Sequence, residues 1–211
     1  MIENFFLFVL GACIGSFLNV VIARLPINLS VIYPRSKCMN CQYQLPWKDN
    51  IPIFSWLLLN GKCRNCGYLI SIQYFLIEFL MGLIFVYVRY NSQEIYTGIS
   101  DIHSIVISLL LISIFVPLLV LDCSYFWLPS SLIYLGICFW IIHSSIYFYY
   151  LNDFLYFDHF ISGFLGLISF LIISIVGKYL AKKPILGIGD AKLSALIGLW
   201  LGLEGLLLTI Y

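Results

Sequence analysis

The sequence predicts an all-α polytopic membrane protein, with about six transmembrane helices and a small cytoplasmic insert after the first helix. Three observations carry this. Hydrophobic residues make up 62% of the 211-residue chain and charged residues 10%, where a soluble domain averages about 25% charged. Long apolar runs recur along the chain, and its length has room for about six spans of ~20 residues. Only residues 24–72 break the pattern, with six Lys or Arg, four of the seven prolines and two CxxC pairs. The net charge of +1 gives no basis for a nucleic-acid partner; the bilayer is the partner that the composition demands.

The first apolar run covers Ile2 to Ile22. No Lys or Arg precedes it, so it is not read as a secretory signal, and the basic residues that follow predict an N-terminus outside. Gly11 and Gly15, four apart, fit a small-residue helix contact. The polar insert contains the short apolar stretch Ile53 to Leu59. It is too short to span and is expected to pack on the metal unit or the membrane surface. The second span is expected from about Tyr74 to Tyr90, with Glu78 one turn in. The third runs from about Ile102 to Leu121 and meets Asp122, and Pro129 limits helix beyond it. The fourth covers about Ser131 to Leu151, and a loop with Asp153 and Asp158 follows. The fifth runs from about Phe160 to Val176. Lys178, Lys182, Lys183 and Pro184 lead into a glycine motif, and the sixth runs from Ala191 to the end. The expected division is a first helix (1–23), the cytoplasmic insert (24–72) and a membrane core (73–211). No internal repeat is read along the chain.

Six spans with the N-terminus outside put ten of the eleven Lys and Arg inside, leaving only Arg89 outside. Asp122 then ends a span running inward and Asp190 begins one running outward, so both carboxylates meet the cytoplasmic face. Two carboxylates brought close share a proton, one acting as base and the other as acid, which activates a water for attack on a peptide carbonyl. Gly187 and Gly189 fit this use by letting the backbone break helix and approach a substrate strand. The same residues also fit a structural reading, with Asp190 as the N-cap of the last helix and Asp122 as a solvated loop residue. Asp153 and Asp158 read as loop or cap residues. Glu204 reads as a packing hydrogen bond or an outer-boundary residue, and His103, His143 and His159 as outer interface residues.

Cys38, Cys41, Cys63 and Cys66 have the form Cys-x2-Cys-x21-Cys-x2-Cys, which is metal spacing. Four thiolates on Zn²⁺ make a closed structural site of net charge −2, which the flanking Lys37, Lys62 and Arg64 can offset. A redox dithiol is the competing reading, and a cytoplasmic location disfavours it. Cys13, Cys123 and Cys138 read as buried structural thiols. No Ser–His set, Walker loop or GxGxxG is present.

Together these motifs resemble the type IV prepilin peptidases, a group of bifunctional GxGD-type membrane aspartic proteases. Gly15-Ser16-Phe17-Leu18-Asn19-Val20-Val21 and Arg24-Leu25-Pro26 resemble the family's first helix and its exit. Ser36-Lys37-Cys38, Cys41, Trp47, Asp49-Asn50-Ile51-Pro52, Ser55-Trp56, Gly61-Lys62-Cys63 and Cys66 resemble its metal domain. Tyr74 and Glu78 match the start of its second helix. Asp122 with Pro129 is similar to the first catalytic motif, and Gly187-Ile188-Gly189-Asp190-Ala191-Lys192-Leu193 to the second.

The resemblance implies a bacterial inner-membrane enzyme that cuts the basic leader from prepilins and pseudopilins at the cytoplasmic face. The resemblance implies cleavage that usually follows a glycine and precedes a phenylalanine. It implies Asp122 and Asp190 as catalytic residues, with Gly187, Gly189, Lys192 and Glu78 supporting them. It also implies N-methylation of the new N-terminus from S-adenosylmethionine, with Gly61 and Lys62 as the place to look. A signal-peptide-peptidase-like protease and an inactive zinc-bearing assembly component are the alternatives. The chain departs from the family pattern in three ways. Ser124 and Ser130 stand where relatives carry acidic residues, and Met39 stands in a first cysteine pair that lacks proline. The sequence also ends at Tyr211, one span after Asp190, where a shorter core than in relatives is expected.

Overall fold

The computed structural model describes residues 2–95, 101–151, 155–181 and 187–210. Asp153, Lys182, Lys183 and Pro184 lie outside these residues. Among the described residues seven α-helices form: α1 Ile2–Arg24, α2 Phe54–Leu58, α3 Ile72–Ile95, α4 Asp101–Tyr125, α5 Ser130–Leu151, α6 Leu155–Ala181 and α7 Ile188–Ile210. Among the described residues, six helices are long and apolar enough to cross a membrane, and α2 is the short one. Most spans run a few residues beyond the expected ends, because a helix satisfies its own backbone past the hydrocarbon edge. Pro117 lies inside α4. Pro129 sits immediately before α5, where its missing N–H costs nothing.

The chain divides into two compact units, Met1–Val120 and Leu121–Tyr211. In the first, α1 packs on α3 through the glycines. A Cβ at Gly11 would lie 2.5 Å from the Met81 carbonyl oxygen, and one at Gly15 would lie 2.9 Å from the Cα of Glu78. The expected small-residue contact is therefore real, since only glycine lets two backbones approach this closely. At the exit of α1, Asn19 donates to the Tyr74 carbonyl at 3.0 Å. Arg24 donates to the carbonyls of Ser30 and Pro34, each at 2.8 Å, and so organises the turn that leads into the insert.

The insert contains a duplication that corrects the expectation of no repeat. Lys37-Cys38-x-Asn40-Cys41-x-Tyr43 recurs as Lys62-Cys63-x-Asn65-Cys66-x-Tyr68. Each copy forms the same turn. Cys38 N–H donates to Tyr43 O at 2.9 Å, and Cys63 N–H donates to Tyr68 O at 2.8 Å. Gln42 N–H donates to Cys38 O and Gly67 N–H to Cys63 O. Isolated bridges Lys37–Gln44 and Lys62–Leu69 flank the two turns. Gln42 (φ 58°) and Gly67 (φ 69°) hold equivalent left-handed positions. The two copies share only the ligands, Lys, Asn and Tyr.

In the second unit α6 and α7 pack along small residues. A Cβ at Gly198 would lie 2.6 Å from the Ser162 carbonyl oxygen, and Ser194 Oγ donates to the Gly166 carbonyl at 3.0 Å. Trp200 Nε1 donates to the Gly136 carbonyl at 3.2 Å and ties α7 to α5. Near its end α7 is kinked at Gly202, whose φ of 67° and ψ of −166° only glycine adopts readily. His159 meets this break, with Nδ1 3.1 Å from the Leu199 carbonyl oxygen. His143 is buried, its ring 5.6 Å from that of Trp200. Both histidines thus hold helices together, and the structure describes no side chain for His103.

Candidate metal centre and active site

The two turns of the insert bring Cys38, Cys41, Cys63 and Cys66 together, with all four sulfurs within 4.8 Å of one another. Cys38 and Cys66 sulfurs are 3.8 Å apart, and those of Cys41 and Cys63 are 3.9 Å apart. A tetrahedron with metal–sulfur bonds of about 2.3 Å has edges of about 3.8 Å, so the donor set fits a closed Zn²⁺ site. The four cysteines are free of disulfides. They would hold the ion and supply rigidity, not an open position for a reacting water.

Two asparagines, which sequence reasoning missed, support the sulfurs crosswise. Asn40 Nδ2 lies 3.8 Å from Cys66 Sγ, and Asn65 Nδ2 lies 3.7 Å from Cys41 Sγ. The signal that finds them is the duplicated Cys-x-Asn-Cys. Hydrogen bonds shape the thiols. The Tyr43 backbone N–H, helped by the Asn65 amide, lowers the Cys41 thiol to about 6. The backbone N–H groups of Cys66 and Asn65 lower Cys63. At Cys66 the Tyr68 N–H acts downward, but burial and the Cys41 and Cys63 sulfurs outweigh it and the thiol is raised.

The expected charge offset is only partly present. Arg64 makes a two-pronged pair with Asp49, with Nη2 to Oδ1 at 2.7 Å and Nε to Oδ2 at 3.0 Å. The Asp49 hydrogen bonds raise the guanidinium further, and its charge is spent on that buried carboxylate rather than on the thiolates. Lys37 and Lys62 remain exposed beside the ligands. Gly61 is left-handed (φ 64°), and a Cβ there would lie 2.8 Å from the Trp56 ring. Its glycine is therefore required by the turn and by the indole above it.

Glu78 joins this insert to the membrane helices. Its side chain is buried, with 8% exposure for the residue, and Oε2 accepts the Ile53 N–H at 2.7 Å. Ile53 has φ 65° and ψ −56°, and Phe54 N–H donates to Pro52 O at 2.6 Å, which is a γ-turn with positive φ. A β-branched residue is strained there. Trp56 follows, donating to the Ile70 carbonyl at 3.3 Å and packing on Phe75 with ring centroids 5.2 Å apart.

In the second unit, Asp122 is exposed on the last turn of α4. Phe126 closes that helix in the left-handed region (φ 50°), its N–H donating to the Asp122 carbonyl at 2.8 Å. Asp190 is in the first turn of α7. Its Oδ2 accepts the Gly187 N–H at 3.0 Å, while its own N–H donates to Gly187 O at 3.2 Å. Asp190 therefore occupies the third helical position and supplies the side-chain half of a capping box, with Gly187 at the cap. Gly189 is helical rather than in a broken turn. Its missing Cβ admits Leu128, whose Cβ would be 3.2 Å away. Lys192 Nζ donates to Ser130 Oγ at 2.9 Å and lies 5.2 Å from the centre of the Tyr134 ring. The segment after Asp122 thus packs on the turn that carries Asp190. Among the described residues no hydrogen bond joins the two carboxylates directly. Glu204 is exposed in α7 beyond the kink.

The chain matches two family models. One is the bacterial peptidase A24 N-terminal domain over residues 9–92, and the other is the type IV leader peptidase family over residues 109–211. Among curated relatives, a prepilin leader peptidase/N-methyltransferase of Myxococcus xanthus is 38% identical over 206 residues, covering 96% of this chain. The chain spans 58% of that relative's length. Proteins of the same name from Pectobacterium carotovorum and Klebsiella pneumoniae are 34% and 32% identical. The matches cover 94% and 95% of this chain and 75% and 86% of those relatives. No solved structure matches the chain significantly. Most of the α1–insert–α3 arrangement lies in the first matched region, and both Asp122 and Asp190 lie in the second. Taken with the identities, they place this protein in the type IV leader peptidase family.

Proposed function

We propose that this chain cuts the basic leader from prepilin-like substrates at the cytoplasmic membrane face, with Asp122 and Asp190 activating the attacking water. The observation that carries this reading is the packing of the Asp122 connector on the Asp190 turn, through Leu128 against Gly189 and Ser130 against Lys192. The capping bond to Gly187 occupies Oδ2 of Asp190 and orients the carboxylate, which leaves Oδ1 to take a proton from water. The partner carboxylate, carrying the shared proton, hydrogen-bonds the scissile carbonyl oxygen as the water adds and later protonates the departing amine.

The distribution of Lys and Arg supports an N-terminus outside and a cytoplasmic catalytic face. In this reading residues 1–23 are the first span, 24–72 the cytoplasmic zinc insert and 73–211 the peptidase core. The names of the relatives support a second activity, transfer of a methyl group from S-adenosylmethionine to the new N-terminus. The exposed Lys62 beside Gly61 is the first place to seek that cofactor.

The test is co-expression with a candidate prepilin, reading leader loss and N-terminal mass together. Asp122→Asn and Asp190→Asn should each abolish leader loss. Full cleavage by either variant would rule out the dyad. A cleaved but unmethylated product would retain the peptidase reading and remove the methyl transfer.

A further inference from the structure

We propose that α2 is an interfacial membrane element whose outer face, Phe54, Leu57 and Leu58, is seated in phospholipid. The hydrogen bond from Ile53 N–H to Glu78 Oε2 sets its depth. Glu78 lies in the candidate span that begins at Ile72. Six residues of helix advance about 9 Å, so the start of α2 is held about that far along the span. Amphipathic segments lying in the bilayer interface bury their apolar face by roughly 5–10 Å, and the two depths agree.

The helix sorts its side chains accordingly. Trp56 turns inward to Gly61 and Phe75, and Phe75 stacks in turn on Phe79 at 5.9 Å. Phe54, Leu57 and Leu58 turn outward and are 63%, 50% and 80% exposed. On α3 itself Leu76 and Phe79 are also exposed, so the outer face of α2 continues the lipid-facing surface of a membrane-spanning helix. The neighbouring 3-10 turn, Trp47–Asn50, adds an exposed Trp47 with Lys48 5.7 Å from its ring centre. An indole and a lysine are the pair expected at the headgroup level. A water-exposed location would instead leave three large apolar side chains solvated on five residues of helix. The strained turn at Ile53 fits the same role, because it bends the chain onto α3 at the depth where Glu78 waits.

The experiment places the photoreactive residue benzoylphenylalanine at Leu58, and separately at Met39 on the first cysteine turn, in the full chain. The protein is reconstituted in vesicles of phosphatidylethanolamine and phosphatidylglycerol. Both positions are exposed, so neither substitution disturbs the core. Irradiation should give phospholipid adducts at position 58 at least about fivefold above those at position 39, read by intact mass. Equal yields at the two positions, or no lipid adduct at 58, would overturn the proposal. So would a position-58 adduct, formed in native membranes, whose mass is that of a protein, which would mark α2 as a docking site for a polypeptide.

Discussion

Glu78 accepts the Ile53 N–H at 2.7 Å, and through this single bond a residue of a membrane helix holds a strained turn of the insert. The carboxylate sits where Gly15 lets α1 come within contact of the Glu78 backbone. Glu78 therefore meets α1 through its backbone and the insert through its carboxylate.

Glu78→Ala should detach this turn. It leaves a buried N–H without its acceptor, at a cost of about 1–3 kcal/mol, and removes what holds Ile53 at positive φ. Amide exchange over residues 51–60 should accelerate while α5–α7 stay protected. Uniform acceleration over the whole chain would assign Glu78 a global role instead.

The crossed asparagines should tune metal affinity. Asn40→Ala and Asn65→Ala should each weaken Zn²⁺ binding by about 10–100-fold, the usual effect of losing an outer-shell partner. Competition with a chelator reads this directly, starting from about one zinc per chain for a four-thiolate site. Unchanged affinity in both variants would show that the sulfurs need no help from the amides.

The thiol of Cys41 gives the insert a pH dependence when the metal is stripped. Its value of about 6 lies below the ordinary 9.0, so folding favours the thiolate. That contribution to stability is full above about pH 9 and is lost as the pH falls through about 6. Alkylation of Cys41 in chelator-treated protein should follow a titration with a midpoint near 6 and should precede that of Cys66, which is raised. A Cys41 midpoint near 9 would contradict this.

Two glycines of the second unit should respond unequally to alanine. A Cβ at Gly198 meets the Ser162 carbonyl oxygen at 2.6 Å and the Gly163 Cα at 2.8 Å, both backbone atoms that cannot step aside. Gly198→Ala should cost about 1–3 kcal/mol, as overpacking does, and lower the melting temperature in detergent. At Gly187 the nearest atom is Asp190 Oδ2 at 3.4 Å, so Gly187→Ala meets no clash and should cost no more than the about 1 kcal/mol by which alanine is the poorer cap. Equal losses would mean that the α6–α7 seam is softer than its geometry.

The six candidate spans, the four cysteines at metal spacing and the placing of the two aspartates at span ends were legible in the sequence. Span length and CxxC spacing are local properties, and each needs only neighbours in the chain. It also carried the duplicated Cys-x-Asn-Cys, the one signal that would have found Asn40 and Asn65. The tertiary structure alone decided which sulfur each asparagine serves, and that Arg64 belongs to Asp49 rather than to the thiolates. It alone decided that Gly189 makes room for Leu128 instead of breaking the helix, and that Glu78 reaches back to Ile53. These are contacts between residues far apart in the chain. Nothing in local pattern or charge encodes a partner whose approach is set by how backbones pack.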